Sequence, residues 1–447
     1  MRFSELDGAR IGVWGAGREI TSLAAQLAKC LPSARIAVAV FDEPPLQDVG
    51  ETLRTPAVQV VSSGEASAAL AGCDVLVRSP GVSIYRPELI ALRDAGLPVT
   101  TATALWLAER GGDGVIGVTG TKGKSTTAAL AAHVARAAGR TVQLAGNIGV
   151  PALDLLDEDV AEVTVVELSS YQLADLSTGP EVAVITNLFR EHTDWHGSED
   201  AYRADKLRIL GLPGVRVAVV GEREERIARA HPDIEVEVFG VPGGWEPADG
   251  GITLHGESKF ARADLPLHGE HNALNLCAAL TALEALGVEL PADLSHALAD
   301  FRPLAHRLET VLGRDGVTWV DDSISTTPES ALAALASFPG RDVVLIGGGQ
   351  DRGQDYAGLG RALAERGATV IGVPSTGPRL IASAREAGAE QERAVEASDL
   401  AEAVELARGL AQGGGVVLLS PAAPSYDFFV NFEERGERFR ELAHQLT

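Results

Sequence analysis

The sequence predicts an α/β protein of three domains, each built around a mostly parallel sheet. Short apolar strands alternate with helical stretches along the chain, a pattern typical of parallel strands joined by crossover helices. The length of 447 residues fits two to four domains of about 100–200 residues each. A glycine-rich stretch at 111–114 and a second break near residue 305 divide the chain into predicted domains 1–110, 111–305 and 306–447.

The first segment predicts a Rossmann-like N-terminal domain. Arg10–Trp14 is a predicted strand, followed by Gly15-Ala16-Gly17 and an amphipathic helical stretch over 20–29. Further apolar strands are predicted at 35–41, ending at Asp42, and at 75–77, ending in Ser79-Pro80-Gly81. The G-x-G fragment is too short to indicate dinucleotide binding, although its position between strand and helix suits a diphosphate.

The other two segments repeat the alternation of strands and helices. The sequence predicts a parallel sheet in a central domain and a Rossmann-like C-terminal domain. Their predicted strands are 115–118, 163–168, 182–186 and 215–220 in the central segment, and 317–320, 343–346, 369–373 and 416–419 in the last.

Charge and hydrophobicity narrow the possible partners and location. The chain has 38 basic and 62 acidic residues and a formal charge of -24, which argues against nucleic acid and anionic membranes as partners. Its N-terminus does not resemble a signal peptide, and it has no apolar run of the roughly 18–20 residues that span a bilayer. Cys30, Cys73 and Cys277 are far apart and indicate reduced thiols. We expect a soluble, cytoplasmic, monomeric protein.

A phosphate-binding loop follows the first central strand. Glycines allow backbone N–H groups to wrap around a phosphate, and the next helix begins there with its positive end. Lys124 is expected to reach the β- and γ-phosphate oxygens of ATP, and the Ser125 hydroxyl to ligate Mg²⁺. The spacing departs from G-x-x-x-x-G-K-[ST], because Val118 occupies the place of the first glycine. The residues of the predicted loop are Gly120, Thr121, Lys122, Gly123, Lys124, Ser125 and Thr126.

Further polar residues of the central segment have both a functional and a purely structural interpretation. Glu167 ends a strand beside the loop and could hold Mg²⁺, or it could be an ordinary exposed glutamate. His192 and His196 are four residues apart, as in a metal pair on a helix, but a loop with structural histidines fits equally. The segment 202–208 has the composition of a solvated, charged helix face.

Two asparagines begin an apolar helical stretch later in the central segment. Asn272 and Asn275 share one helix face, so that both amides could read an adenine edge. Capping of the helix by one asparagine is the alternative.

Taken together, the motifs resemble the Mur ligase family over nearly the whole chain. They occur in the order G-T-K-G-K-S-T at 120–126, A-G-N-I-G at 145–149, E-L-S-S-Y-Q-L at 167–173, N-L-F-R-E-H-T-D-W-H at 187–196, Y-R-A-D-K-L-R at 202–208, H-N-A-L-N at 271–275, H-R-L-E at 306–309, D-D-S-I-S-T-T at 321–327 and L-S-P-A-A-P-S-Y-D at 419–427.

The resemblance implies an ATP-dependent amide ligase that joins glutamate to UDP-N-acetylmuramoyl-L-alanine in peptidoglycan precursor synthesis. ATP would phosphorylate the substrate carboxylate, and the glutamate amine would displace phosphate from the acyl phosphate. By the same resemblance, Lys124, Glu167, His192 and Lys206 are catalytic. Ser125, Glu167, His192 and Lys206, the last as a carbamate, would hold Mg²⁺.

The resemblance also implies three binding regions. Asn272 and Asn275 would contact adenine, and Arg307 and Asp322 would bind ATP from the third domain. The residues implied for the UDP-substrate are Gly15, Ala16, Gly17, Arg18, Asp42, Ser79, Gly81 and Asn147. The residues implied for glutamate are Thr326, Arg352, Ser425, Tyr426 and Phe432.

Departures from the family pattern cluster in the predicted glutamate pocket. Ile324 replaces a usual lysine, Arg352 stands where another lysine is usual, and Tyr426 replaces a leucine. Arginine is not equivalent to lysine, because its planar fork pairs differently with a carboxylate. We therefore expect the branch that adds L-glutamate and depends on a separate epimerase downstream. The competing hypotheses are the same ligase using D-glutamate, a folylpolyglutamate synthase-like ligase, a non-enzymatic nucleotide switch, and a NAD-dependent dehydrogenase suggested only by G-x-G.

Overall fold

The computed structural model confirms the α/β class and the parallel sheets. It describes residues 1–15, 17–41, 53, 56–189, 193–248, 251–261, 269–302, 305–314, 316–351, 353–411 and 413–445. The predicted site residues Ala16, Asp42, His192 and Arg352 lie outside these ranges.

The chain forms two compact units. One consists of Met1–Pro266 and Glu270–Phe301, and the other of Leu267–Gly269 and Arg302–Thr447. The first unit contains both the N-terminal and the central parallel sheet. The domain boundaries proposed at 110/111 and 305/306 stay predictions.

The N-terminal sheet is parallel throughout, with the strand order β3-β2-β1-β4-β5. Its first and fourth strands are neighbours although they are distant in sequence, so the order reverses between them. In such sheets, ligands bind at the carboxyl ends of the strands beside this reversal. The elements are β1 Arg10–Trp14, β2 Arg35–Phe41, β3 Gln59–Ser62, β4 Val75–Arg78, β5 Val99–Thr100, α1 Arg18–Cys30, α2 Ala66–Leu70, α3 Pro87–Asp94 and α4 Ala102–Arg110.

The central sheet is also parallel, with the order β11-β10-β9-β6-β8-β7. Strands β6, β8 and β9 are buried on both faces, which explains their continuous apolar sequences. The elements are β6 Val115–Thr119, β7 Val142–Gly146, β8 Val163–Glu167, β9 Val182–Ile185, β10 Val217–Gly221, β11 Glu235–Phe239, α5 Lys124–Ala137, α6 Ser170–Leu173, α7 Thr193–His196, α8 Glu199–Leu207, α9 Glu222–Ala228, α10 Glu270–Ala285 and α11 Leu294–Leu298.

A small antiparallel sheet follows β11 and was not predicted from the sequence. It consists of β12 Trp245–Ala248, β13 Gly251–Leu254 and β14 Glu257–Ala261. Its strands are short, and charged residues such as Glu246, Glu257 and Lys259 interrupt their apolar positions. The indole of Trp245 anchors it by donating to Glu284 on α10 at 2.7 Å.

The C-terminal sheet has the order β15-β16-β20-β17-β18-β19 and is parallel except for the β15–β16 pair. Strand β20 lies between β16 and β17, so that the loops after these three strands meet at one edge. The elements are β15 Glu309–Arg314, β16 Val317–Asp321, β17 Val343–Gly347, β18 Thr369–Gly372, β19 Ala394–Glu396, β20 Val416–Leu419, α12 Pro328–Ala336, α13 Ala357–Arg366, α14 Gly377–Glu386, α15 Leu400–Leu410 and α16 Phe432–Gln445.

Two smaller predictions concern the cysteines and membrane-spanning segments. Cys30, Cys73 and Cys277 are free, as their spacing predicted. Among the residues that the structure describes, every helix is too short or too polar to span a bilayer.

Candidate active site

The phosphate loop joins β6 to α5, and its glycines are required by backbone geometry. Gly120 has φ +139°, and a Cβ atom there would lie 2.0 Å from the Thr186 hydroxyl oxygen. Gly123 has φ +84°, and its Cβ would lie 2.2 Å from Oδ1 of Asn275. Val118 is a buried residue of β6, so the first essential glycine of this loop is Gly120.

Side chains at the end of β9 hold the loop in shape. The backbone N–H of Lys122 donates to Asn187 Oδ1 at 2.8 Å, and the Asn187 amide donates back to the Lys122 carbonyl at 3.0 Å. The Thr186 hydroxyl donates to the same carbonyl at 2.6 Å. The buried Thr121 hydroxyl lies 2.7 Å from that of Tyr202. These bonds fix the loop before any ligand arrives, as a preorganised anion site requires.

Lys124 and Ser125 lie at the N-terminal end of α5. Lys124 begins the helix, and its ammonium donates to the Thr121 carbonyl at 2.9 Å, back across the loop. Ser125 is buried and follows directly, with Thr126 beside it. The helix end and its backbone N–H groups favour an anion at this point. The predicted phosphate-binding residues therefore form one continuous cradle.

Glu167 lies at the carboxyl end of β8, next to the phosphate-loop strand. It pairs in register with Val118, and only 1% of the residue is exposed, so an ordinary surface glutamate is excluded. One carboxylate oxygen accepts from the Asn147 amide at 3.1 Å. The other oxygen, Oε2, is buried and has no hydrogen-bond partner among the described residues. A buried, unpaired carboxylate oxygen is costly unless a cation or another donor occupies the site.

Lys206 is buried beside the same loop, which makes the interpretation of its segment as a solvated helix face wrong. The Ser198 side chain caps α8, and Tyr202, Asp205 and Lys206 lie on the buried side of this helix. The Lys206 ammonium donates to the Gly120 carbonyl at 2.7 Å and lies 5.0 Å from the Tyr202 ring centre. The helix thus delivers a lysine directly to the phosphate loop.

His196 has a structural role in this arrangement. Its two ring nitrogens lie 2.7 Å from Asp205 and 3.0 Å from the Ser170 hydroxyl, so both are engaged by protein groups. The metal pair that the spacing of His192 and His196 suggested is therefore not supported at His196, while His192 lies outside the described residues.

Asn272 and Asn275 are buried on the first turns of α10 and contact each other. The Asn275 amide donates to Asn272 Oδ1 at 3.1 Å, and Asn275 also packs against Gly123 of the phosphate loop. The shared face predicted from the sequence exists, and it lies directly over the loop. The adenine contact itself stays a prediction.

The predicted UDP-substrate loops meet at the reversal point of the N-terminal sheet. A Cβ on Gly15 or Gly17 would lie 2.7 Å or 2.9 Å from the Ser79 side chain, so the two loops touch only because these residues are glycines. Gly81 is exposed two residues further on. Arg18 donates to the carbonyl of Gly149 at 2.5 Å, beside the loop that contains Asn147. These described residues therefore lie close together at the carboxyl ends of the N-terminal strands.

In the C-terminal unit, Asp322 is buried where the loops after β16 and β20 meet. Hydroxyl groups of Ser325 and Ser420 donate to its Oδ2 at 2.6 and 2.7 Å. Burial raises the pKa of Asp322 to about 6, although these bonds and the nearby Arg307 guanidinium favour its charged form. The two residues predicted to bind ATP from this unit are therefore neighbours.

The predicted glutamate residues that the structure describes, Thr326, Ser425, Tyr426 and Phe432, lie at the same edge of the C-terminal sheet. Ser425 is buried and Thr326 is half-buried, whereas Tyr426 is 59% exposed. The Phe432 carbonyl accepts from the Ser323 hydroxyl at 2.8 Å, next to the segment that departs from the family pattern. Ser425 and Tyr426 therefore lie on the loop after β20, and Phe432 begins α16 beside the loop after β16. Glutamate binding stays a prediction.

Arg435 was missed in the sequence and lies at the centre of this edge. It is 3% exposed and donates to the Ser323 hydroxyl at 3.0 Å, to the Ser323 carbonyl at 2.8 Å and to the Ala423 carbonyl at 3.1 Å. Burial lowers its pKa to about 10. Its charged neighbours suggest a solvated helix, but Arg435, Phe439 and Ala443 recur every four residues and are all buried, and this spacing was the available signal.

The raised pKa of Asp322 predicts a pH-dependent effect of Asp322→Asn on stability. Because the folded pKa of about 6 exceeds the unfolded value of about 3.9, the contribution of Asp322 to stability is complete below about pH 4 and is lost as the pH rises through 6. Asparagine cannot ionise, so from pH 4 to pH 7 the variant should gain about 2–3 kcal/mol relative to wild type.

Hydrogen exchange of the β16 and β20 peptides across this pH range measures the effect. Asp351→Asn is the matched control, because Asp351 is an exposed acid of the same unit whose pKa is lowered by bonds from Gly353 and Arg379. A stability difference between Asp322→Asn and wild type that does not change with pH would contradict the assignment.

Comparison with protein families gives matches to the central and C-terminal parts of the chain. The Mur ligase middle domain matches residues 118–283. The domain described as "Mur ligase, glutamate ligase domain" matches residues 306–423. The first match contains the phosphate loop, Glu167 and Lys206, and the second contains Asp322.

Individual proteins resemble the chain along its whole length. It is 44% identical to the UDP-N-acetylmuramoyl-L-alanine–L-glutamate ligase of a Micromonospora species, over 100% of this chain and 99% of that protein. It is 43% identical to the protein of the same name from Salinispora tropica, over 100% of both. The crystal structure of MurF ligase from Thermotoga maritima with ADP has a similar fold, with a TM-score of 0.59, 18% identity, and coverage of 99% and 98% of the two chains.

Proposed function

The chain belongs to the Mur ligase family, and from this premise we propose that it is the ATP-dependent ligase that adds L-glutamate to UDP-N-acetylmuramoyl-L-alanine. The observation that carries the proposal is the edge of the central sheet. A preformed phosphate loop, a buried carboxylate with an unpaired oxygen and a buried lysine meet there. Relatives matched over their full length have the name of this ligase.

The chemistry requires activation of a carboxylate. A free carboxylate does not react with an amine at neutral pH, because its leaving group would be oxide-like. In the proposed reaction, a carboxylate oxygen of the alanine attacks the γ-phosphorus, and ADP leaves. The glutamate amine then attacks the acyl carbon, loses a proton and expels inorganic phosphate. Lys124 and the N-terminal end of α5 are positioned to stabilise the charge on the transferred phosphoryl group.

The oxygen donors of the site fit Mg²⁺. Oε2 of Glu167 is buried without a partner among the described residues, and the hydroxyl-bearing Ser125 is buried at the start of α5. Such hard oxygen ligands are those that Mg²⁺ prefers. We propose that Glu167 and Ser125 hold Mg²⁺, with Lys206 contributing as a carbamate. When bound, the ion would neutralise charge on the phosphates and acyl oxygen.

The preference for L-glutamate rests on the relatives and on the altered pocket. Relatives of the chain are named for the L-glutamate reaction. Ile324 is half-buried where the family pattern has lysine, and Tyr426 is exposed on the neighbouring loop. Loss of a cation and gain of an aromatic ring alter how the carboxylates of glutamate can be held. A product ending in L-glutamate would then require an epimerase acting after this enzyme.

Release of inorganic phosphate tests the proposal directly. We expect release only when ATP, Mg²⁺, UDP-N-acetylmuramoyl-L-alanine and L-glutamate are all present, with kcat/KM for L-glutamate at least about tenfold above that for D-glutamate, equivalent to about 1.4 kcal/mol. Pure enantiomers assayed side by side decide between the two ligases. Turnover of D-glutamate alone would refute the L-glutamate assignment.

The same assay separates this ligase from three further classes of protein. A folylpolyglutamate synthase-like ligase would release phosphate with a folate substrate and would not need the predicted UDP-substrate loops. A nucleotide switch would bind ATP without glutamate-dependent turnover, and a dehydrogenase would bind a nicotinamide cofactor. The cytoplasmic location and monomeric state expected from the sequence stay predictions.

A further inference from the structure

Arg78 is a fully buried arginine at the end of β4, with a relative exposure of 0%. Its Nη1 donates to three carbonyls of the loop that follows, those of Ser79 at 3.3 Å, Pro80 at 3.0 Å and Val82 at 2.8 Å. Its Nη2 donates to the Tyr171 carbonyl at 2.7 Å. One guanidinium therefore binds both the loop that follows it and a carbonyl group 93 residues further along the chain.

An ion pair completes the arrangement. The Nε of Arg78 donates to Asp175 Oδ2 at 2.5 Å, and the Asp175 side chain is only 2% exposed. Arg93 donates to the other oxygen, Oδ1, at 2.5 Å, but its side chain is 35% exposed. A buried ion pair is often no more stabilising than apolar side chains of the same volume. Stability alone therefore does not explain why a buried arginine occupies position 78, and we look for a role in the contacts that it makes.

The two segments joined by Arg78 have different roles in the proposed function. The loop over 79–82 contains Ser79 and Gly81, which are proposed to bind the UDP-substrate. The segment that contains Tyr171 begins at Glu167, the proposed Mg²⁺ carboxylate, and continues from β8 into α6. Arg78 thus connects the predicted UDP-substrate loop of the N-terminal sheet with the predicted phosphate site of the central sheet.

A second, partly buried connection reaches the same segment. The Gln172 amide donates to Glu19 Oε1 at 2.6 Å, and Glu19 follows the predicted UDP-substrate residue Arg18. Oε1 of Gln172 accepts from the backbone N–H and the hydroxyl of Ser169, two residues after Glu167. The segment after β8 is therefore bound at two points to residues that flank the UDP-substrate loops.

We propose that Arg78 is a positioning residue that couples binding of the UDP-substrate to binding of the nucleotide at the phosphate loop. The proposal rests on the proposed function. When the UDP-substrate binds the 79–82 loop, it restrains the carbonyls that Arg78 already contacts, and through Tyr171 the guanidinium passes this restraint to the segment that carries Glu167. Lysine cannot replace it, because one ammonium cannot reach both segments in the planar geometry that a guanidinium spans.

Linked binding measurements test the proposal without turnover. The dissociation constant of a non-hydrolysable ATP analogue with Mg²⁺ is measured by calorimetry, with and without saturating UDP-N-acetylmuramoyl-L-alanine and in the absence of glutamate. The proteins are wild type, Arg78→Lys, Asp175→Asn and Arg93→Met. Arg93→Met is the matched control, because Arg93 shares Asp175 but has no bond to the loop or to Tyr171 among the contacts of the described residues.

In the wild type, the UDP-substrate should tighten nucleotide binding at least about fivefold, a coupling that must be reciprocal. The factor should fall below about twofold in Arg78→Lys, fall partly in Asp175→Asn, and stay at the wild-type value in Arg93→Met. Nucleotide affinity without the UDP-substrate should change less than about twofold in Arg78→Lys, because the contacts of Arg78 among the described residues do not include the phosphate loop. A thermal unfolding midpoint close to wild type excludes misfolding, and Asp175→Asn replaces Arg78→Lys if the latter does not fold.

The outcomes separate this proposal from the proposed function. If UDP-N-acetylmuramoyl-L-alanine does not bind the wild type, the proposed function fails. If both ligands bind but the wild type shows no coupling, or Arg78→Lys retains the wild-type factor, the role of Arg78 is wrong and the ligase assignment is unaffected. Equal loss in Arg93→Met would also overturn the proposal, because it would indicate a general effect of the ion pair.

Discussion

Replacing Lys124 with alanine should lower kcat by at least about a thousandfold, equivalent to about 4 kcal/mol of transition-state stabilisation. The ammonium lies at the N-terminal end of α5 and bridges the loop to the Thr121 carbonyl, so it is positioned to follow charge onto the transferred phosphoryl group. Because that charge develops mostly in the transition state, kcat should fall far more than the affinity for ATP. Single-turnover release of phosphate measures the loss.

Arg136→Ala provides the control for Lys124→Ala. Arg136 lies on the exposed face of the last turn of α5 and donates to the Val142 carbonyl at 3.3 Å, away from the phosphate loop. Its replacement should leave kcat within about twofold of wild type. A Lys124→Ala protein with near-native kcat would refute the assignment of the loop.

The second large effect is expected at Lys206. Lys206→Ala should lower kcat by at least about a hundredfold, because it removes a buried group next to Gly120 and the proposed Mg²⁺ site. If the lysine acts as a carbamate, a small added carboxylate such as acetate or formate should restore part of the activity. If the ammonium itself acts through the Gly120 carbonyl, a small alkylamine should restore activity instead. Titrating each compound into the assay distinguishes the two mechanisms.

Arg203→Ala is the control on the same helix. Arg203 is half-buried one turn before Lys206, and its replacement should respond to neither compound. Full activity of Lys206→Ala without any addition would exclude both roles, and rescue by the amine alone would exclude the carbamate.

The positions of the main strands could be predicted because the parallel sheets bury them on both faces. The predicted strand 416–419 agrees with β20, and 115–118 is one residue shorter than β6. The strand predicted at 215–220 begins two residues before the observed strand β10 and ends one residue before it does. Short edge strands such as β5 and β19, and the strands of the small antiparallel sheet, β12, β13 and β14, have too few apolar residues to show the pattern by which a strand is predicted from sequence.

The chemistry of the site was only partly predictable. The loop glycines could be read from the sequence because local geometry requires them. The burial of Glu167 and Lys206 depends on register between strands and on helix packing, which sequence spacing does not contain. The spacing of buried residues on α16 indicates the burial of Arg435 but not its partners. Arg78 donates to the Tyr171 carbonyl and Arg435 to the Ser323 carbonyl, both distant in sequence. Because carbonyl groups are the same in every residue, no pattern of residue types could indicate these two contacts.

The origin of the oxygen in the released phosphate tests the central claim most directly. UDP-N-acetylmuramoyl-L-alanine labelled with ¹⁸O in the alanine carboxylate is turned over with ATP, Mg²⁺ and L-glutamate, and the inorganic phosphate is analysed by mass spectrometry. An acyl-phosphate ligase must transfer one carboxylate oxygen to each phosphate, because the bond that breaks joins the acyl carbon to that oxygen. We predict singly labelled phosphate in the same amount as the glutamate-containing product. Unlabelled phosphate, or phosphate released without L-glutamate incorporation, would contradict the account.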